Sequence, residues 1–350
     1  MPEGVEIRKF ASIINNNAVG HNITGINILK GRYIKKVFDG YNELLNYLPV
    51  KIVNIKTKGK FTYIELHSIK DNKTFWLFNT LGLTGGWTIS NTNKDNFKMD
   101  EETGTRFIKK SDLIYIYPTI WEFISNNSLS EWFEKAIEHL NVEFILDTGA
   151  KIYFYDQLSF GTLKIITEKK KLDKKLKELG NDIMDDSTTF EIFKKQLQKT
   201  DNKQIGNVIV NQKLISGIGN YLRADALWMS KISPFRIVSN ITDIELELLY
   251  KSIRGLMWGY LNYNEAIQKG YININSNHKK NKKILVSGNR LGKIDMNSWN
   301  INKITIPRDY NRDFFVYKQT TDLFGNIVNK KELYEGNQKR FIYYVDNWQV

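Results

Sequence analysis

Pro2 stands directly behind Met1 and is followed by Glu3. Removal of Met1 would leave a terminal secondary amine. Such an amine condenses with an aldehyde-level carbon to give an iminium that is cationic without added acid, an electron sink of the Schiff-base kind. A helix opening at this point would set positive partial charge beside the amine, disfavour its protonated form and keep it nucleophilic. Glu3 is placed to shuttle protons. The same residues also suit an ordinary helix start, where proline and glutamate are both favoured. A second constellation is Gly217-Ile-Gly-Asn220-Tyr-Leu-Arg-Ala-Asp225. A glycine-punctuated turn running into a helix presents backbone N–H groups to a phosphate, and Asn220 adds an amide donor. It also fits a helix–turn–helix whose glycines only allow close packing.

The composition narrows the chemistry. The 350 residues hold 51 Lys and Arg against 38 Asp and Glu, a formal charge of +13. A surplus of that size favours a polyanionic partner, because each neutralised phosphate releases a counterion. There is no cysteine, which removes disulfides, thiol catalysis and every thiolate-ligated metal site. The four histidines, His21, His67, His139 and His278, are scattered, so metal catalysis is not expected and no cofactor is implied. No apolar run reaches the ~18 residues of a membrane span, and the first residues do not read as a signal peptide. The chain reads as soluble and intracellular, with no membrane role.

Elements must hold these residues in place. Ile7, Phe10, Ile13 and Ile14 form a helical stripe after Gly4. Residues 20–90 are strand-like, notably 51–56, 61–66 and 74–78, rich in β-branched and aromatic residues. A polar stretch with a helix near 130–137 interrupts them over 90–138. Strands return at 142–146 and 151–155, joined by the hairpin-like turn Asp147-Thr-Gly149. A Lys-rich bridge over 168–180 precedes a change to helical period. Thr188-x-x-Glu191 and Thr242-x-x-Glu245 read as capping boxes. Short strands are expected at 314–317 and 340–345. The lysine runs 169–171, 174–175 and 279–283 read as solvated faces that would raise non-specific affinity beside DNA.

Met1-Pro-Glu-Gly-Val-Glu6 together with Ser216-Gly-Ile-Gly-Asn-Tyr-Leu-Arg-Ala-Asp225 resembles the formamidopyrimidine-DNA glycosylase and endonuclease VIII family. Further matches fall in family order. They are Thr57-Lys-Gly-Lys60, Leu81-Gly-Leu-Thr-Gly85, His139-x-x-Val142 through Tyr155-Asp-Gln-Leu-Ser-Phe160-Gly, Lys177-Glu-Leu-Gly-Asn-Asp182, Asn211-Gln-Lys213-Leu and Ile232-Ser-Pro234. The resemblance covers the chain except roughly 90–138 and 270–310. At the tail, Val316-Tyr-Lys-Gln319 and Gln338-Lys-Arg340 through Gln349 fit the frame of the family's finger hairpin. Val345 and Trp348 stand where the last two cysteines would be. This is similar to the zincless finger of animal and viral endonuclease VIII-like members, with Phe324, Tyr344 and Trp348 as packing residues.

The resemblance implies an α+β fold. It comprises an N-terminal two-layer β-sandwich with flanking helices (1–165, with an insert at about 90–138) and a basic linker (166–186). A helix–two-turn–helix domain (187–270) and a C-terminal region (271–350) with a zincless-finger β-hairpin at about 314–350 follow. It implies a bifunctional DNA glycosylase/AP lyase of base excision repair that removes oxidised bases, mainly pyrimidines, with β,δ-elimination. Pro2 would be the nucleophile at the sugar C1′, Glu3 the proton shuttle, and Lys60 a phosphate contact supporting the reaction from the β sheet. Asn220 and Arg340 would clamp phosphates, with Tyr221 beside them at the DNA, and Glu6 would order the amino-terminal site. Leu83 and Phe160 would fill the gap left by a flipped nucleotide.

Val5 replaces a usual proline. Leu158 stands where many members carry the arginine that probes the opposite base, and Ser159 replaces a second arginine. The expected partner is damaged DNA, double-stranded and also single-stranded, bound by a monomer. Two alternatives stay open: an oxidised-purine glycosylase of the same fold, and a non-catalytic binder of lesions or single strands.

Overall fold

The structure, a computed structural model, describes residues 2–98, 105–118, 135–261, 268–269, 300–301, 304–305, 314–335 and 338–350. It divides into two compact units, Met1–Glu178 and Leu179–Val350. Most of the 270–310 stretch and the 279–283 lysine run lie outside the described residues. Of the helix expected near 130–137, only residues from 135 on are described, and they are helical.

The first unit opens with helix α1 (Gly4–Ala18), whose Ile7, Phe10, Ala11, Ile13 and Ile14 are buried as their spacing dictates. Each buried isoleucine or phenylalanine among them stabilises the fold by about 1.5–3 kcal/mol. The strands are β1 (Asn22–Ile28), β2 (Val50–Lys58), β3 (Phe61–Ser68), β4 (Thr74–Thr80), β5 (Gly86–Asn91), β6 (Thr105–Lys110), β7 (Leu113–Pro118), β8 (Leu140–Leu146), β9 (Lys151–Tyr155) and β10 (Thr162–Ile166). They join in one hydrogen-bonded order, β10-β4-β3-β2-β1-β8-β9-β5-β7-β6. The order folds into two layers. Trp87 of β5 packs on Phe144 and Phe154, and its indole N–H donates to Asn79 Oδ1 of the distant strand β4 at 3.0 Å. The β8–β9 turn at 147–149 forms as expected, with Gly149 at φ +82°. A short helix α2 (Tyr41–Asn46) packs beside β10.

Two stretches differ from the sequence expectation. Part of the 90–138 interruption is not helical or polar loop: β6 and β7 pair as a hairpin and extend the sheet beyond β5. The lysine-rich bridge is a helix, α3 (Lys169–Glu178). Lysine has good helix propensity, and one apolar residue, Leu172, is buried and anchors it. Lys58 Nζ also donates to the Leu176 carbonyl at 2.8 Å, capping its last turn.

The second unit is built on α4 (Phe190–Gln198), α5 (Ile205–Val208), α6 (Asn220–Met229) and α7 (Asp243–Leu261). Short pairs β11 (Asn181–Asp182) with β12 (Ile215–Ser216), and β13 (Asn300–Ile301) with β14 (Ile304–Thr305), accompany them. The hairpin β15 (Asn329–Glu335) and β16 (Gln338–Tyr344) completes the unit. The box at α7 forms as expected, with Glu245 accepting from the Thr242 N–H and hydroxyl at 2.7 and 2.8 Å. At α4 the cap is one residue later than expected. Thr189 accepts from the Ile192 N–H, because the Thr188 hydroxyl is buried and donates to the Asp182 carbonyl at 2.6 Å.

The segment 314–317, expected as a strand, is a turn. The N–H groups of Phe315, Val316 and Tyr317 all donate to the Asp225 carboxylate, at 3.2, 3.0 and 3.1 Å. Three successive N–H groups converge on one side chain only when the backbone coils, since a strand turns them alternately outward.

Candidate active site and nucleic-acid interface

In the first unit, Glu3 is the N-cap of α1 and is buried with Pro2. The Glu3 N–H donates to Glu6 Oε2 at 2.7 Å, one arm of a capping box. Glu6, itself buried, thereby fixes the entry angle of the chain at Pro2. The helix start expected from Pro2-Glu3-Gly4 is therefore present, with Pro2 just outside the first turn. Lys60 is not within a strand but in the two-residue turn between β2 and β3, half-buried, after Gly59 at φ +57°.

Leu83 follows β4, and Leu158 and Phe160 precede β10. Their two loops are latched by Asp156, a buried side chain. Its Oδ1 accepts from the Thr84 hydroxyl at 2.5 Å and its Oδ2 from the Gly161 N–H at 2.5 Å. Thr84 Oγ1 also accepts from the Leu158 N–H at 3.0 Å. Gly82, at φ +63°, has no room for a side chain, since a Cβ would lie 2.7 Å from the Gly161 nitrogen. The consequence is one rigid platform with three apolar side chains turned to solvent: Leu83, Leu158 and Phe160 are 42%, 49% and 59% exposed. Ser159 sits at φ +55° between them, and its carbonyl accepts from Arg32 at 3.4 Å. Exposed apolar groups gathered on a latched loop pair call for a partner surface. Sequence reasoning singled out the three tips but not Asp156 or Arg32, which hold them.

In the second unit, Asn220 begins α6 behind Gly217, whose φ of +108° makes the turn. Arg223, one helical turn on and fully buried, donates through Nη2 to Asn220 Oδ1 and, at 3.4 Å, to the Phe341 carbonyl of β16. Its Nη1 donates to the Gly206 carbonyl of α5 at 3.0 Å. Arginine has no acceptor, so the Asn220 oxygen must face it and the amide N–H₂ faces away. Arg223 thus orients Asn220 as a donor and ties α5, α6 and the hairpin together. The i, i+3 spacing was the available signal. Arg340 lies on β16, half-buried and opposite Leu333. Tyr221, expected beside the DNA, is buried against Phe314, Tyr260 and Tyr317, at 5.1, 6.0 and 6.3 Å, so its ring serves the core.

Asp225 is wholly buried, and burial pushes its carboxyl up to about 7 even though three N–H donors favour the charged form. Around it, Trp228 stacks on Phe315, Phe324 and Trp348 at 5.1, 5.9 and 5.8 Å, and Tyr344 meets Phe235 edge-on at 4.9 Å. Among the described residues no group of three or more His, Cys, Asp or Glu is gathered to hold a metal. No helix among them is long and apolar enough to cross a membrane.

Comparison with known proteins agrees with this layout. The family model for the formamidopyrimidine-DNA glycosylase N-terminal domain matches residues 1–163, and that for the formamidopyrimidine-DNA glycosylase H2TH domain matches 179–275. A formamidopyrimidine-DNA glycosylase of Corynebacterium glutamicum (strain R) is 24% identical over 288 residues, 79% of this chain and 84% of the relative. That of Pelotomaculum thermopropionicum is 29% identical over 156 residues, 44% of this chain and 56% of the relative. Among solved structures, the Lactococcus lactis enzyme in complex with abasic-site DNA superposes with a TM-score of 0.62 at 17% identity, covering 100% of both chains. The same enzyme with an N7-benzyl-Fapy-dG DNA gives 0.62 at 18%, covering 99% of each. With both of its domains matched in order, the chain belongs to the formamidopyrimidine-DNA glycosylase family.

Proposed function

We propose that this protein is a bifunctional DNA glycosylase/AP lyase of base excision repair, acting through Pro2 on oxidised bases, mainly pyrimidines. The observation that carries the reading is the amino terminus, where Pro2 and Glu3 sit buried at the mouth of α1 and Glu6 fixes the Glu3 backbone. With Met1 removed, the Pro2 amine attacks C1′ of the damaged nucleotide and the base departs with a proton; the nitrogen lone pair then breaks the C1′–O4′ bond, O4′ leaves as a protonated hydroxyl, and the opened sugar is held as the iminium. The iminium draws electrons from the C2′–H bond, so that proton is lost and the 3′ phosphate leaves. A second elimination releases the 5′ phosphate, and water hydrolyses the remaining adduct. Glu3 carries protons between these steps.

Leu83, Leu158 and Phe160 fill the helix where the nucleotide is everted, offsetting unstacking of a few kcal/mol. Lys60, Asn220 and Arg340 hold phosphates. The finger needs no zinc: the stack of Trp228, Phe315, Phe324 and Trp348 and the Asp225 turn hold it, in a chain without cysteine. That resembles the endonuclease VIII-like members. The substrate is damaged DNA, duplex and single-stranded, bound by a monomer. The oxidised-purine reading is favoured by one finding, that the curated relatives are formamidopyrimidine-DNA glycosylases.

Borohydride trapping on oligonucleotides with an abasic site, an oxidised pyrimidine or an oxidised purine tests the reading. Wild type should cross-link to abasic DNA and to the pyrimidine lesion. Pro2→Gly, or a tag left on the amino terminus, should abolish the cross-link while lesion binding survives. Full trapping by the tagged protein would remove Pro2 from the mechanism.

A further inference from the structure

The outer face of the sheet at β10, β4 and β3 carries a row of residues that a solvated sheet face does not need. The register sets Lys164 beside Phe78 and Phe78 beside Tyr63, with Thr162, Thr80 and Phe61 in the next row. Their neighbours Leu163, Leu77 and Ile64 point inward and are buried, so these rows face out. On this face Phe61 is buried and Phe78 and Tyr63 are half-buried. Over this face lies a cleft of about 560 Å³, within the ~300–1,000 Å³ usual for ligand sites.

Its rim is cationic. Arg32 and Lys36 come from the turn after β1, Lys164 from β10, and Lys175 from α3, where its ammonium lies 5.7 Å from the Phe61 ring centre. The acidic residue lining the cleft, Asp39, is paired with Lys164 at 3.1 Å. The cleft also adjoins the wedge. Thr80 ends β4 just before the Leu83 loop, Thr162 starts β10 just after Phe160, and their hydroxyls lie 2.7 Å apart. Arg32, held over the Tyr33 ring at 5.0 Å, donates to Ser159 between the wedge tips.

We infer that this cleft binds an unpaired DNA strand next to the wedge, with a base against Phe78 and the backbone phosphates on Lys36 and Lys175. The inference rests on the DNA-lesion reading above and names where single strands are held. Cations ringing the half-exposed Phe78 ring suit an unpaired strand, whose bases are free to stack. A duplex offers phosphates to such a rim but keeps its base faces stacked away from the floor. The assignment also gives the lysine-rich helix α3 a task, the delivery of Lys175 over the aromatic floor.

The test uses the full chain, a labelled undamaged thymidine 12-mer and a duplex with one abasic site. Lys36→Glu with Lys175→Glu should weaken 12-mer binding about tenfold and flatten its salt dependence, with duplex cleavage retained within about twofold. Phe78→Leu, which keeps the bulk but loses the ring, should weaken it about threefold without changing the salt dependence. Unaltered 12-mer affinity in both variants, at unchanged thermal midpoints, would overturn the proposal. So would equal losses for 12-mer and duplex, which would make the rim part of a general field. A wild type that fails to cleave the abasic duplex, yet loses 12-mer binding in the variants, would sink the lyase reading and leave the cleft standing.

Discussion

Asn220 and Arg340 illustrate how differently two residues with one proposed task are held. The Asn220 amide is turned by the buried Arg223, so its donor end is set before any ligand arrives. Arg340 depends on the hairpin, where its pairing with Leu333 fixes the strand register. A guanidinium on a phosphate makes a charge-assisted hydrogen bond, so Arg340→Ala should weaken binding of lesion DNA by about 1.5–3 kcal/mol and lower the salt slope by about one. Equal affinities of variant and wild type across several salt concentrations would place Arg340 outside the interface. Leu158 carries a second expectation. An arginine there could hydrogen-bond the orphan base, whereas leucine supplies contact area and no donor. Excision of one lesion opposite A, C, G and T should therefore vary by less than about tenfold in single-turnover rates. A strong preference for one partner would show that another residue reads the orphan base.

The elements follow from local sequence where local sequence decides. Thr242 and Glu245 lie three residues apart, so the box at α7 is legible from spacing, although Arg236 also donates to both Glu245 carboxylate oxygens. The spacing places the cap of α4 at Thr188, but its hydroxyl goes to the Asp182 carbonyl, a tertiary contact that spacing does not encode. The aromatic run at 314–317 has strand-like composition. Asp225, about ninety residues earlier in the chain, coils it by collecting three N–H groups. In the proposed site, motif order alone singles out Pro2, Glu3, Lys60, Leu83, Leu158, Phe160, Asn220 and Arg340, and their roles rest on that reading. Of their supports, Arg223 carries an i, i+3 signal to Asn220, whereas Asp156 and Arg32 act across the fold, where spacing carries no signal.

Asp225 gives the element-scale prediction. Its carboxyl is raised to about 7 in the fold from an ordinary value near 4, so between those values the folded state holds the proton and the unfolded state does not. Its contribution to stability is full below about pH 4 and is lost as the pH rises towards 7. Asp225→Asn removes that term, and it sets an amide donor against one of the facing N–H groups at a cost of about 1–3 kcal/mol. Urea denaturation from about pH 5 to 7 should show wild-type stability falling relative to the variant. Parallel pH profiles would mean that Asp225 is ionised throughout.

At the scale of the molecule, the two units divide the proposed work. The first holds the amine and the wedge platform, the second the helix–two-turn–helix and the hairpin, and the chain as a whole carries +13. The net charge acts on any DNA, because counterion release depends on phosphates neutralised and not on what the bases are. On the proposed reading the wedge acts only where a nucleotide leaves the stack, and Leu83, Leu158 and Phe160 carry no charge, so their contribution would release no counterions. Affinity and discrimination should therefore separate on a salt titration. For a protein touching roughly six or more phosphates, affinity for lesion-bearing and undamaged duplex alike should fall by about a thousandfold between 50 and 200 mM salt. The ratio of the two affinities should change by less than about tenfold, since it reports the uncharged wedge and the everted nucleotide. Fluorescence anisotropy on matched duplexes over that range measures both quantities. A ratio that collapses in step with the affinities would mean that discrimination comes from extra phosphate contacts at a bent lesion site, and the platform latched by Asp156 would then be a bystander to recognition.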